Sequence, residues 1–209
     1  MTNGIGITVQ GRPRVGIIHK PFIGQGQNAQ RTYVGSTEAG LFYFDQSLSD
    51  RSISSPTYVS PFAPSADSNS ESEEGKPFQP QLVSCDDMQH DKMMERVFRD
   101  IMPMTVNRVK GTGNQFLHLT KERSDFFLNL LPRYSMTDIC ASEAIYSSRF
   151  GILTDAKQKP LFYDSSRRAF GLFNGVVAAR DSNVYLSAQQ TYENNSGRTL
   201  AESQTEIRR

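Results

Sequence analysis

The sequence predicts an α+β fold: a short helical cluster packed on a C-terminal antiparallel meander, with an extended, irregular N-terminal arm. Three observations carry that expectation. Residues 84–150 hold successive apolar stripes at three- and four-residue spacing, residues 150–188 change to short apolar runs bounded by turn residues, and residues 1–83 are rich in Gly, Pro, Ser, Gln and Asn. The first pattern belongs to amphipathic helices, the second to strands, and the third to chain with little to bury.

Taken in order, residues 1–62 form the arm, with strand-like runs only at 5–9, 15–18 and 41–44. Pro13, Pro21, Pro56 and Pro61 forbid long helices there and bias the preceding residues toward extended backbone. Residues 63–80 follow as a linker, in which SADSNSESEE offers acids and serines but no large apolar side chain. Residues 81–190 are the expected α+β domain. Ser84-Cys85-Asp86-Asp87 has the form of a capping box, and Met94, Val97, Phe98 and Ile101 then recur on one helical face opposite Asp91, Lys92, Glu95, Arg96 and Arg99. Pro103 ends that helix. A second helix is expected from Thr120 or Ser124, through Phe126, Phe127, Leu130 and Leu131, to Pro132. A third covers 137–148 with Ile139, Cys140, Ala144 and Ile145 inward. Strands are expected at 150–153, 161–163, 169–173, 176–179 and 184–188, with Asn174-Gly175 as a type I′ turn and Asp181-Ser182-Asn183 as the next reversal. Residues 191–209 read as a polar tail that frays when alone.

Composition narrows the function classes. Lys+Arg 23 against Asp+Glu 22 leaves a formal net charge of +1, so no global field recruits nucleic acid or an anionic membrane. Cys85 and Cys140 are too few for a disulfide scaffold, and their places on helices point to reduced, buried thiols. There is no signal-like N-terminus and no run of about 18 apolar residues, so the chain reads as soluble and intracellular.

The arm suggests a partner-binding role. Lys20-Pro21-Phe22, Ser60-Pro61-Phe62 and Lys76-Pro77-Phe78 each place an aromatic ring directly after a proline, whose fixed backbone lowers the entropic cost of seating that ring in a pocket. The candidate contacts are Phe22, Tyr33, Phe42, Tyr43, Phe44, Tyr58, Phe62 and Phe78. The resulting expectation is a non-catalytic structural protein that stabilises a larger assembly, a virion or a cytoskeletal lattice, through other protein subunits or copies of itself. No cofactor, metal or catalytic residue is assigned.

Two other chemistries compete. Gly24-Gln25-Gly26-Gln27-Asn28-Ala29 follows the run 15–18, and Asp45 follows the run 41–44. That spacing resembles the opening of Rossmann-type nucleotide-binding dehydrogenases, and the resemblance implies phosphate-loop places for Gly24, Gly26 and Ala29 and a ribose contact for Asp45. It leads to the alternative of a small nucleotide-binding enzyme, although His19-Lys20-Pro21-Phe22 separates run from glycines and no βαβ unit follows. Arg108 and Lys110 beside Gly111-Thr112-Gly113, together with Arg167-Arg168, give a local case for phosphate contacts and hence a nucleic-acid-binding accessory protein. Asp87, His90 and Asp91 stand at i, i+3 and i+4, where side chains can converge on a metal ion, but among charged neighbours a solvated helix face explains them equally well.

Overall fold

The computed structural model of the protein describes residues 2–23, 29–62, 80–84, 91–132, 134–164 and 171–207. The N-terminal third is the largest departure from the irregular arm expected of it. It forms a five-stranded antiparallel sheet of β1 (Asn3–Val9), β2 (Arg12–Ile23), β3 (Ala29–Ser36), β4 (Gly40–Ser47) and β5 (Thr57–Val59), paired in that order. Each hairpin joins neighbours in sequence, so pairing is local. Gln10 and Gly11, with φ of 50° and 73°, make the tight reversal between β1 and β2.

A second five-stranded sheet runs in the order β7-β6-β8-β10-β9. Its strands are β6 (Gln81–Ser84), β7 (Thr105–Arg108), β8 (Phe126–Asn129), β9 (Ile152–Thr154) and β10 (Val176–Ala179). The pairs β6–β7 and β6–β8 are parallel, and β8–β10 and β10–β9 are antiparallel, so the expected antiparallel meander is a mixed sheet instead. Between and after the strands come α1 (Lys92–Ile101), α2 (Thr112–Thr120), α3 (Met136–Ser147), α4 (Ser182–Ser196) and α5 (Leu200–Ile207).

The elements stack in four layers. Helices α2 and α3 lie between the sheets. Ile18, Tyr33 and Leu41 meet Leu117, Ala141 and Ile145 on the N-terminal side, and Phe116, Ile139 and Tyr146 meet Phe127, Val176 and Ala178 on the other. The opposite face of the second sheet, through Phe126, Leu128, Val177 and Ala179, is covered by Met94, Val97 and Ile101 of α1 and by Val184, Ala188 and Tyr192 of α4. The second sheet is therefore buried on both faces. Among the described residues the first is covered on one face only.

Several expectations held and others did not. Helix α1 uses the anticipated stripe, with Met94, Val97 and Ile101 buried, but its cap is Asp91, whose carboxylate accepts from the amides of Met93 and Met94 at 3.1 Å each. The capping box expected at 84–87 falls mostly outside the described residues. Helix α3 begins one residue before its expected start, and Ser135 and Asp138 form a reciprocal capping box there. Phe126, Phe127 and Leu128 lie in a buried strand and not in a helix, because a strand covered on both faces shows no alternation. The run 184–188 belongs to α4, which Asp181 caps by accepting from the Val184 amide at 2.9 Å. Residues 191–207, read from the sequence as a polar tail, complete α4 and form α5. Gly175 takes a φ of 70° but Asn174 is not in the positive-φ region, so this turn is not type I′.

Helix α3 sits so close to the first sheet that glycines are required beneath it. A β-carbon on Gly6 would collide with Cys140 Sγ, and one on Gly16 with the Ala141 carbonyl oxygen. One on Gly35 would lie 2.7 Å from Ile145 Cα. We expect Gly35→Ala to lower unfolding free energy by about 1–3 kcal/mol, since the clash is with backbone that cannot yield cheaply. Gly4→Ala, whose β-carbon would stand 3.3 Å from the Ala141 side chain, should cost clearly less. Urea denaturation of both variants checks the ordering.

Candidate functional site

The beginnings of three elements converge on one cavity of about 480 Å³. Thr2, Asn3 and Gly4 bring the start of β1, Lys110 to Asn114 bring the turn into α2, and Thr137, Asp138, Ala141 and Ser142 bring the first turns of α3. Gly111 makes the turn possible with φ 79° and ψ 131°, a conformation that side chains disfavour. It is also the N-cap of α2, and no side chain caps the first-turn amides. The positive end of α2 thus opens on the cavity that Lys110 also lines, an arrangement suited to an anion.

The turn is held from behind. Asn114 Nδ2 donates to the Lys110 carbonyl at 3.1 Å, and Gln115 Nε2 donates to the Val109 carbonyl at 2.9 Å. The Gln115 amide oxygen accepts from the Tyr134 hydroxyl at 2.8 Å, so this fully buried amide is paired at both ends. On the far wall, Asp138 Oδ2 accepts from the Ser135 amide at 2.9 Å and from the Ser135 hydroxyl at 2.7 Å. Among the described residues Asp138 is the one carboxylate that lines this cavity.

A second cavity of about 350 Å³ adjoins it, sharing Gly4 and Thr137 and running along β1 past Cys140 to Tyr163. Behind its wall Glu143 is buried, with Arg12 Nη2 at 2.8 Å and the Tyr163 hydroxyl donating to it at 2.6 Å. Burial pushes the Glu143 carboxyl up to about 7, outweighing the hydrogen bonds from Tyr163 and Arg12. Burial, with Glu143 close by, also pushes the Cys140 thiol up to about 11, which disfavours the thiolate, and its Sγ packs beneath Gly6. His118 lies near Ser124, with 3.1 Å between its Nδ1 and the Ser124 hydroxyl; burial first, then the charges of Arg123 and Lys121, lower its basicity.

The residues singled out in the sequence are scattered by comparison. Tyr33 and Phe62 are buried inside this chain's own core, while Phe42, Tyr43 and Phe44 are half-buried along β4. Phe22 and Tyr58 are exposed, and Phe78 lies outside the described residues. Gly24, Gly26, Asp87, His90 and Arg167-Arg168 also lie outside them. Ala29 opens β3, and Asp45 is occupied by Arg31 in a two-pronged ion pair of 2.5 and 2.6 Å. Both strands flanking the glycine loop are antiparallel, so the dehydrogenase-like arrangement does not form. Among the described residues no three His, Cys, Asp or Glu side chains gather to hold a metal ion, and no helix is long and apolar enough to cross a membrane. The Gly111-Thr112-Gly113 turn with Lys110, read from the sequence as a candidate nucleic-acid phosphate contact, lines this cavity. Its partners across the cavity, Thr137 and Asp138, carried no local signal beyond helix capping.

This architecture has solved counterparts. Inositol monophosphatase-II from Staphylococcus aureus MSSA476 superposes with a TM-score of 0.64 at 12% identity, over 99% of this chain and 64% of that one. An inositol monophosphatase from Zymomonas mobilis gives 0.60 at 18% identity, over 91% and 61%, and the extragenic suppressor protein suhB from Bartonella henselae gives 0.57 at 12%, over 90% and 61%. The class is thus defined by fold: that of the inositol monophosphatases, with the present chain spanning about three fifths of the length of the structures it matches. No protein-family model and no curated protein matches the sequence. The expectation of a non-catalytic structural component of a virion or cytoskeletal lattice is overturned, because the neighbours are phosphatases. The aromatic residues that prompted it are in large part the packing of a sheet.

The Glu143 shift has a pH consequence. Its folded value lies above its unfolded one, so the stability it contributes is full below about 4.5 and is lost as pH rises through about 7. Glu143→Gln should remove that slope, with a wild-type loss of about 1–3 kcal/mol between those limits. Chemical denaturation of both proteins at pH 5 and pH 8 measures the difference.

Proposed function

We propose that the chain is the phosphate-ester-binding part of a phosphatase-type protein whose ligand is a phosphomonoester of a polyol or a nucleoside. The observation that carries this reading is the convergence of the uncapped start of α2, Lys110 and the first turn of α3 on one cavity. The fold likeness supports it, since two structures of the staphylococcal protein are bound to 2'AMP and to inositol monophosphate. Its cavity of about 480 Å³ has room for a ligand of that size.

The chemistry follows from the donors present. Amides at the start of α2 offer N–H groups to the phosphate oxygens, and Lys110 adds a positive charge beside them. Thr137 and Ser142 present hydroxyls that suit the alcohol part of the ester. Asp138, facing a dianion, repels it at rest, and it is suited to accept a proton from a water that attacks phosphorus and to pass that proton to the departing alcohol oxygen. Gly113 keeps the first turn open, because a β-carbon there would lie 2.6 Å from the Thr2 hydroxyl.

Isothermal titration with inositol monophosphate and with 2'AMP should show binding that Lys110→Ala weakens about three- to tenfold, the range of one charge-assisted contact. Asp138→Asn should bind as tightly or more tightly, because it removes a like charge, while phosphate release falls at least about a hundredfold. Absence of binding at millimolar ligand, or an affinity indifferent to Lys110, would overturn the reading.

A further inference from the structure

We infer that Tyr134 is a positioning residue for the phosphate turn: acting through Gln115, it ties the glycine turn at 110–113 to the start of α3 and fixes how the two walls of the cavity face each other. The inference rests on the phosphate-ester reading and deepens it. Tyr134 itself stands behind the cavity and does not line it.

The connection begins at Gln115, which is fully buried on α2. Its backbone amide donates to the Gly111 carbonyl at 3.0 Å, and its side-chain Nε2 donates to the Val109 carbonyl at 2.9 Å. One residue thus holds the chain on both sides of Lys110. A carbonyl can only accept, so Nε2 must face Val109, and the amide oxygen is left needing a donor. The Tyr134 hydroxyl is that donor, at 2.8 Å. Without it the amide oxygen is a buried acceptor with no partner, and the side chain with the turn it holds is driven toward other conformations.

Tyr134 is firmly placed for this task. Its carbonyl accepts from the Leu172 amide at 2.9 Å, and its ring centroid stands 6.1 Å from that of Phe127. The next residue, Ser135, caps α3 and bonds to Asp138. The hydroxyl therefore reaches from the wall that carries Asp138 to the wall that offers amides and Lys110. Packing alone does not call for it, since a phenyl ring at 134 and a leucine at 115 would fill similar space without burying an amide. The turn has more need of such support than most: Gly111 holds it at φ 79°, and no side chain caps the helix that follows.

The test uses the 209-residue chain and inorganic phosphate, a probe that reports on the turn and not on the alcohol part of an ester. Tyr134→Phe should raise the phosphate Kd about fivefold, the worth of one buried hydrogen bond, and raise that of inositol monophosphate by the same factor, with the stoichiometry unchanged. A role in packing or folding alone would lower the stoichiometry and leave Kd as it was. In the variant without ligand, hydrogen exchange over 109–116 should quicken about tenfold while that of α1 stays at the wild-type rate. Adding Tyr134→Phe to Gln115→Leu should change Kd by less than about twofold, because the bond is already gone. Phosphate binding that Lys110→Ala weakens and Tyr134→Phe does not overturns this inference and leaves the phosphate-ester reading standing. So does exchange over 109–116 that is equal in variant and wild type, or an undiminished effect of Tyr134→Phe in the Gln115→Leu background. No phosphate binding by the wild-type chain overturns both.

Discussion

The close approach of α3 to the N-terminal sheet is the constraint on which the other features rest. Gly6, Gly16 and Gly35, one from each of three adjacent strands, lie under the helix where any side chain would collide with it. The helix answers with small residues, Cys140, Ala141 and Ala144, so the backbones approach and the dispersion contacts between them are dense. Once the helix is seated at that depth, its other face is free to bury Ile139 and Tyr146 against the second sheet. One helix therefore bonds two sheets, and few of its residues reach solvent.

That seating also fixes where the cavity lies. The start of α3 is carried to the level of the start of β1, and α2, packed beside α3, brings its own positive end to the same place. Two helix beginnings and a strand beginning converge on one cavity because the layers are pressed together. The α3 beginning is satisfied internally by Ser135 and Asp138, whereas the α2 beginning has glycine for a cap. The two helix beginnings at the cavity therefore differ in how their first amides are satisfied.

Polar groups tie the ends of the sheet to the helical layer. The Arg149 side chain is 5% exposed; it donates to the carbonyl of Ser60 at 2.6 Å, to that of Thr120, and to Glu122 at 2.6 Å, and its guanidinium lies over the Phe62 ring at 4.1 Å. It holds the chain leaving β5 against the end of α2. Arg12 does the same work at the opposite corner, through Glu143 and the Leu161 carbonyl. Because the buried Arg149 guanidinium has several acceptors, the cost of burying its charge is offset, whereas Arg12 keeps 40% of its side chain exposed.

The sequence alone determined the mixed α+β class, the apolar stripe of α1 and, to within a residue, the extent of α3. The helical signals are local properties, written in periodicity over a dozen residues. Phe126 to Leu128 lost their strand signature because both faces of β8 are covered, and the run 184–188 looked strand-like because α4 buries only part of a mostly polar helix. The glycines of the first sheet read as slack backbone, when their use is to admit α3. Only the tertiary structure decided that use, and with it the juxtaposition of Lys110 and Gly111 with Thr137 and Asp138, residues some 25 positions apart. Close approach and convergence are relations between elements, and no window along the chain contains both partners.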